Sequence, residues 1–162
     1  MMGDLVLERV LRPYKVDCRY LVSADLDGDA GARGDFVIPE SCYIDDTGHF
    51  NSVEFNICYN QLVYYLMARA VRDGTMPDFA MWTLEDYWRK QLPDILIASF
   101  ESRFKRPINA RRFSGEVVIG DVRYRAATRP MLLAPTEVRF WDDDGGAAQG
   151  KVLLAIMEPP RA

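Results

Sequence analysis

An α+β fold, with an antiparallel sheet wrapped round one long helix, is what this chain of 162 residues predicts. Three observations carry the prediction. The stretch from Tyr43 to Glu54 ends in a helix start, because Asn51 is followed three residues later by Glu54 and then by apolar positions, so the Glu54 carboxylate can return to the amide of the Asn51 cap. Beyond it, Val53, Phe55, Ile57, Cys58, Leu62, Val63, Leu66, Met67, Ala68 and Ala70 go round the axis almost completely, the pattern of a helix enclosed by other structure. Both flanks of that helix carry short runs rich in β-branched and aromatic residues, separated by turn-forming ones.

The elements follow in order. Leu5 to Leu11 has apolar residues at Leu5, Val6, Val10 and Leu11, which predicts a short helix stopping before Pro13 and lying over the core as a peripheral lid. Asp17 to Leu26 and Arg33 to Glu40 read as a first β-hairpin about the turn Asp27 to Gly31. That acidic turn lacks the later Glu and the flanking helices of a calcium loop, so no metal is assigned to it. Asp73-Gly74 and Pro77 stop the central helix, and Thr83 with Glu85 and Asp86 opens a short helix through Leu92. Four strands follow, at Ile95 to Phe104, Phe113 to Tyr124, Met131 to Trp141 and Lys151 to Met157. The last two are joined at Asp142 to Gly146, where glycine supplies positive φ. A sheet curled round one helix is the hot-dog arrangement. Its open sheet edge predicts pairing with a second copy, hence a homodimer or larger oligomer.

Bulk properties narrow the function. The length fits one domain over residues 1–162, able to bury about 70% of its unfolded surface. A net charge of −4 argues against nucleic acid as a partner, because phosphate binding needs dominant clustered basic charge. The apolar run around Leu62 to Met67 is far short of a membrane span, and the chain does not open on a secretion signal. Cys18, Cys42 and Cys58 are an odd number without CxxC spacing. Neither a disulfide framework nor a zinc site is expected, and the compartment reads as the reducing cytoplasm.

The candidate chemistry gathers where the central helix begins, since its first amides are unpaired and carry positive dipole character. His49, the one histidine, sits in the preceding loop beside Gly48, and is read as a catalytic base or as a residue that orders the loop. Asn51 caps the helix and can also orient a carbonyl or water. Glu54 fits the capping box and, with a pKa raised by burial, a general base. Asn60 and Gln61 are mid-helix amides expected to bond to the surrounding sheet. The Tyr64, Tyr65, Leu66, Met67 cluster reads as core, or as the lining of an acyl tunnel. Arg103, Lys105, Arg106, Arg111 and Arg112 form the densest basic stretch, a solvated face or a strip for carrier phosphates or a carboxylate.

Arg12-Pro13-Tyr14, Cys18-Arg19-Tyr20-Leu21, Glu40-Ser41-Cys42-Tyr43, Gly48-His49-Phe50-Asn51-Ser52-Val53-Glu54, Tyr59-Asn60-Gln61-Leu62, Ser102 to Pro107 and Phe140-Trp141-Asp142 with Gly146-Ala147-Ala148 resemble the FcoT-like thioesterases over nearly the whole chain. The resemblance implies a hot-dog enzyme acting on fatty acyl thioesters borne by an acyl carrier protein or CoA, without a cofactor. It implies a site in which two tyrosines and an asparagine, here Tyr14, Tyr43 and Asn51, replace the usual acidic residue. Relatives add glycine to the β-carbon of a 2-enoyl thioester and then hydrolyse the adduct. That reading stands here beside plain hydrolysis and beside a non-catalytic acyl-binding module. Glycine addition needs a base for the ammonium proton, for which His49 is chosen. It also needs a cation for the glycine carboxylate, for which Arg103 is chosen, with Lys105 and Arg106 as rivals.

Overall fold

The computed structural model describes residues 3–160. One seven-stranded antiparallel sheet runs in the order β1-β2-β4-β6-β7-β3, with β5 added on β6. Its strands are β1 (Leu21–Leu26), β2 (Gly31–Phe36), β3 (Ile95–Arg106), β4 (Phe113–Ile119), β5 (Arg123–Arg125), β6 (Met131–Trp141) and β7 (Ala147–Met157). The helices are α1 (Leu5–Leu11), the long α2 (Ser52–Asp73) and α3 (Leu84–Lys90). The α2 helix lies against the inner face of the sheet, as the hot-dog arrangement requires.

Local chemistry sets the ends of α2. The Asn51 side chain accepts from the Glu54 amide at 3.0 Å and Glu54 Oε1 accepts from the Asn51 amide at 3.3 Å. At the other end Gly74 adopts φ 67°, the left-handed cap that glycine takes without strain. The inward residues of α2 meet an aromatic core. The Phe55 ring lies 4.9 Å from Phe140, 5.7 Å from Phe100 and 5.6 Å from Phe104, and Phe36 stacks on Phe113 at 5.2 Å. Gly115 on β4 leaves room for this cluster, because a Cβ there would stand 2.6 Å from the Phe140 ring.

Four expectations need correcting. The α2 helix is not enclosed all round: Val53 is 47% exposed and Asn56 is also exposed. Ile57 and Asn60 are only partly covered, so positions three and four apart form one open stripe. Asn60 accordingly bonds to Asn56 Oδ1 at 2.9 Å rather than to the sheet, whereas buried Gln61 does reach it. Gln61 accepts from the Tyr20 and Leu21 amides and donates to the Cys18 carbonyl at 2.7 Å. Nor is α1 a loose lid. Val6, Val10 and Leu11 are buried, and the Tyr65 hydroxyl donates to Asp4 Oδ2 at 2.7 Å. The run from Phe113 to Tyr124 breaks at Gly120 into β4 and β5, making five strands after α2 where four were expected.

The fourth correction concerns the cysteines. Cys18 and Cys42 are joined in a disulfide with their Cα atoms 5.6 Å apart, while Cys58 is free and buried. The bond ties the turn at Val16–Cys18 to the loop approaching α2. Closing a loop of 24 residues' separation is worth about 3 kcal/mol. Reductant is therefore expected to lower the melting temperature of the protein. A Cys18→Ser/Cys42→Ser variant should start at that lower temperature and stop responding to reductant.

Candidate active site

The loop from Val37 to Phe50 is held at several points before it reaches α2. The Ile38 amide donates to the Ala110 carbonyl at 3.0 Å and the Phe50 amide to the Ile108 carbonyl at 3.1 Å. Arg111 spans the same gap, donating to the Ile38 carbonyl at 2.8 Å and pairing with Asp46. That guanidinium holds the Asp46 carboxyl below the usual carboxylate range. The Cys42 amide donates to the Tyr20 hydroxyl at 3.2 Å. Gly48, at φ 82°, takes the left-handed turn that brings His49 and Phe50 onto the helix.

At the helix mouth two hydrogen bonds converge on one side-chain oxygen. The Tyr43 hydroxyl donates to Asn51 Oδ1 at 2.7 Å, and that same oxygen accepts from the Glu54 amide. With its oxygen filled, the Asn51 side chain keeps two amide N–H groups that bond to no described residue. The Tyr43 oxygen, having spent its proton on Asn51, presents lone pairs. Behind them Glu54 is 1% exposed, with Oε2 accepting from Ser41 Oγ at 2.7 Å and Oε1 from the Asn51 amide. Its carboxylate therefore faces inward and positions Asn51 instead of meeting a substrate. The backbone amides of Ser52 and Val53 have no partner among the described residues, so the mouth offers N–H donors to a negatively charged oxygen.

The other expected site residues are spread more widely. The His49 ring is exposed and makes no hydrogen bond among the described residues. The Tyr14 ring is half-buried farther along α2, near Tyr64 and Cys58, and burial pushes its phenol well above the ordinary range. No hydrogen bond joins it to Tyr43 or Asn51. Tyr64 is buried, and its carbonyl accepts from the Tyr87 hydroxyl at 3.0 Å. Lys105 and Arg106 are exposed at the end of β3, beside Phe104, whose ring lies 6.1 Å from Phe50. Arg103 is the clear departure. Strand alternation turns Phe100 and Phe104 toward α2 and Arg103 to the opposite face. There it lines a shallow cavity of about 480 Å³ with Glu101, Glu116, Glu137, Arg139 and Lys151. It does not join the helix mouth.

Sequence reasoning passed over Ser41 and Arg111 as positioning residues. Their partners lie 13 and 65 residues away, so no local pattern marks them.

Burial raises the phenol pKa of Tyr14, Tyr20 and Tyr43 above the ordinary value. A raised folded-state pKa gives stability that is complete below about pH 10 and is lost as pH climbs through the folded values, because the unfolded chain releases those protons first. Melting temperature should hold to about pH 10 and fall above it. A rise in that range would contradict the assignment.

The profile of the FcoT-like thioesterase domain matches residues 9–156. A (2E)-enoyl-ACP glycyltransferase of Streptomyces coeruleorubidus is 53% identical over 165 residues, covering 99% of this chain and all of that one. Its counterpart in Mycobacterium marinum is 44% identical, covering 98% of this chain and 89% of that one. Among solved structures, a mutant thioesterase of Pseudomonas aeruginosa superposes with TM-score 0.56 at 10% identity, over 97% of this chain and 96% of the other. A sigma28-regulated virulence protein of Campylobacter jejuni gives 0.54 at 12%, over 94% and 96%. At such identities the likeness is one of fold.

Proposed function

This chain belongs to the FcoT-like thioesterase family, and we propose that within it the protein adds glycine to the β-carbon of a 2-enoyl group borne on an acyl carrier protein and then hydrolyses the thioester. The observation that carries the reading is the polarised mouth of α2, supported by relatives at 53% and 44% identity that bear the glycyltransferase name. In the first step the glycine nitrogen bonds to the β-carbon and the alkene electrons move onto the thioester oxygen, after which the α-carbon takes a proton from solvent and the carbonyl is restored. In the second, water attacks the carbonyl carbon, the same oxygen again becomes negative, and the carrier thiol leaves. The free acid is an N-carboxymethyl-3-amino acid. Both steps place charge on one oxygen, which the Asn51 side-chain N–H groups and the Ser52 and Val53 amides stabilise.

The remaining roles follow from placement. The Tyr43 oxygen accepts a hydrogen bond from the incoming amine or water. His49 takes the ammonium proton, being exposed to solvent that carries it away. Tyr14 bounds the acyl group deeper along α2. Arg103 is no longer a choice for the glycine carboxylate, and Lys105 takes that role because the register shift between Phe104 and Arg106 leaves it unpaired and frees it from the alternation that turns Arg103 away. Lys105→Ala should raise the apparent glycine KM more than it slows release from a preformed adduct, and Arg103→Ala should alter neither.

The test of the function is incubation of 2-enoyl thioesters with and without glycine, read by thiol release and mass spectrometry. Adduct and simple acid differ by one glycine. Acid alone, at a rate unaffected by glycine, would leave a plain hydrolase, which the family's thioesterase name also accommodates. A second copy is expected to pair along the β3 edge, where Leu96, Ile97 and Phe104 are exposed, and to cover the open stripe of α2. Sedimentation should therefore report a dimer or larger. A carrier-borne substrate supports the cytoplasm as the site of the reaction.

A further inference from the structure

The segment between α1 and β1 carries positive charge that nothing in the proposed chemistry uses. Arg12, Lys15 and Arg19 are all exposed, and none forms an ion pair with another described residue. Arg19 instead folds back on its own segment, donating to the Tyr14 carbonyl at 3.0 Å and the Arg12 carbonyl at 3.4 Å, so its charge stays uncompensated. Asp17 is the one acid among them. Val16, at the centre, is 73% exposed, an apolar side chain raised in the middle of the basic collar. The collar is fastened to the mouth loop by the Cys18–Cys42 disulfide and by the Tyr20 hydroxyl on the Cys42 amide. It also surrounds Tyr14. The basic stretch from Arg103 to Arg112 is different, because Arg103 shares its cavity with Glu101, Glu116 and Glu137, and Arg111 is taken by Asp46.

On the reading that the substrate is carrier-borne, we propose that Arg12, Lys15 and Arg19 with Val16 form the docking surface for an acidic acyl carrier protein. Three unpaired cations on a chain of net charge −4 suit an acidic partner that must be drawn to one place. Their exposed spacing, with an apolar side chain between, suits a protein surface rather than a compact nucleotide. A carrier seated there would deliver its thioester arm to the adjoining mouth.

The experiment compares Arg12→Glu/Lys15→Glu with the native enzyme on one 2-enoyl group presented by a carrier protein, by pantetheine or by CoA. Arg19 is left intact because it braces the Tyr14 backbone. The double reversal should raise KM for the carrier-bound substrate about ten-fold or more with kcat unchanged, and should abolish the salt dependence of that KM. Pantetheine and CoA thioesters should be unaffected. An equal rise for CoA would assign the collar to nucleotide phosphates, an equal rise for pantetheine would place it inside the reaction site, and no change for the carrier would remove it from docking. Each of these overturns the proposal. Direct titration of the two proteins with acylated carrier separates this from the reaction itself. If neither releases thiol but only the native protein binds carrier, the proposed reaction fails and the docking surface stands.

Discussion

Replacing Asn51 with Ala is expected to cut turnover of a 2-enoyl carrier thioester by a factor of roughly 100 to 1000, the usual result of deleting one oxyanion donor, near 3 kcal/mol in the transition state. The same change removes the cap of α2, which costs about 1 kcal/mol of folding stability. The two losses separate because Asn51 does two things with two ends of one amide. Its oxygen holds the Glu54 amide and the Tyr43 hydroxyl, and its nitrogen is the donor proposed for the substrate oxygen. Asn51→Asp makes the decisive comparison. It keeps an oxygen acceptor for both partners, and so keeps the cap, while substituting negative charge for the N–H donors. Turnover should fall at least as far as in Asn51→Ala, with the melting temperature near that of the native protein. An Asp variant that retains activity would reduce Asn51 to a structural cap.

That prediction was within reach of the sequence because its parts are local. The capping box joins residues three apart, and the glycine turn and histidine stand immediately before it. The strands were legible for a similar reason, since alternation marks β6 and the aromatic positions mark β3 and β4. What escaped depends on distant pairing. The Cys18–Cys42 bond requires the turn before β1 to meet the loop before α2, and nothing in cysteine count or spacing announces that meeting. Arg103 was misjudged on one bit of information, the face to which it points. Its neighbours Phe100 and Phe104 already encoded the answer, since residues two apart on a strand share a face and Arg103 is out of phase with both. The open stripe on α2 was hidden by composition: Val53 and Ile57 are apolar, and periodicity cannot distinguish a residue buried in its own chain from one left open at the surface.

The largest effect on stability is expected at Phe55. Its ring is buried completely, touching Phe50, Phe100, Phe104 and Phe140 from the first inward turn of α2. It also presses on Gly150 of β7, where a Cβ would lie 2.9 Å from the ring tip. Phe55→Ala removes the ring and leaves a cavity whose walls belong to three separate strands and the mouth loop, which cannot all collapse into it together. Such substitutions cost about 3–5 kcal/mol, and each kcal/mol lowers the melting temperature of a chain this size by about 2–4 °C. The loss should reach function through Phe50, which stands between Phe55 and the mouth and carries the backbone leading into Asn51. Well below the melting transition, Phe55→Ala is accordingly expected to keep its thiol-release kcat within about an order of magnitude of native, because the Tyr43–Asn51–Glu54 bonds do not pass through the ring. A deeper loss at that temperature, with the fold intact by circular dichroism, would mean that the aromatic cluster sets the geometry of the donors themselves. A cost below about 1 kcal/mol would show that α2 is held to the sheet elsewhere.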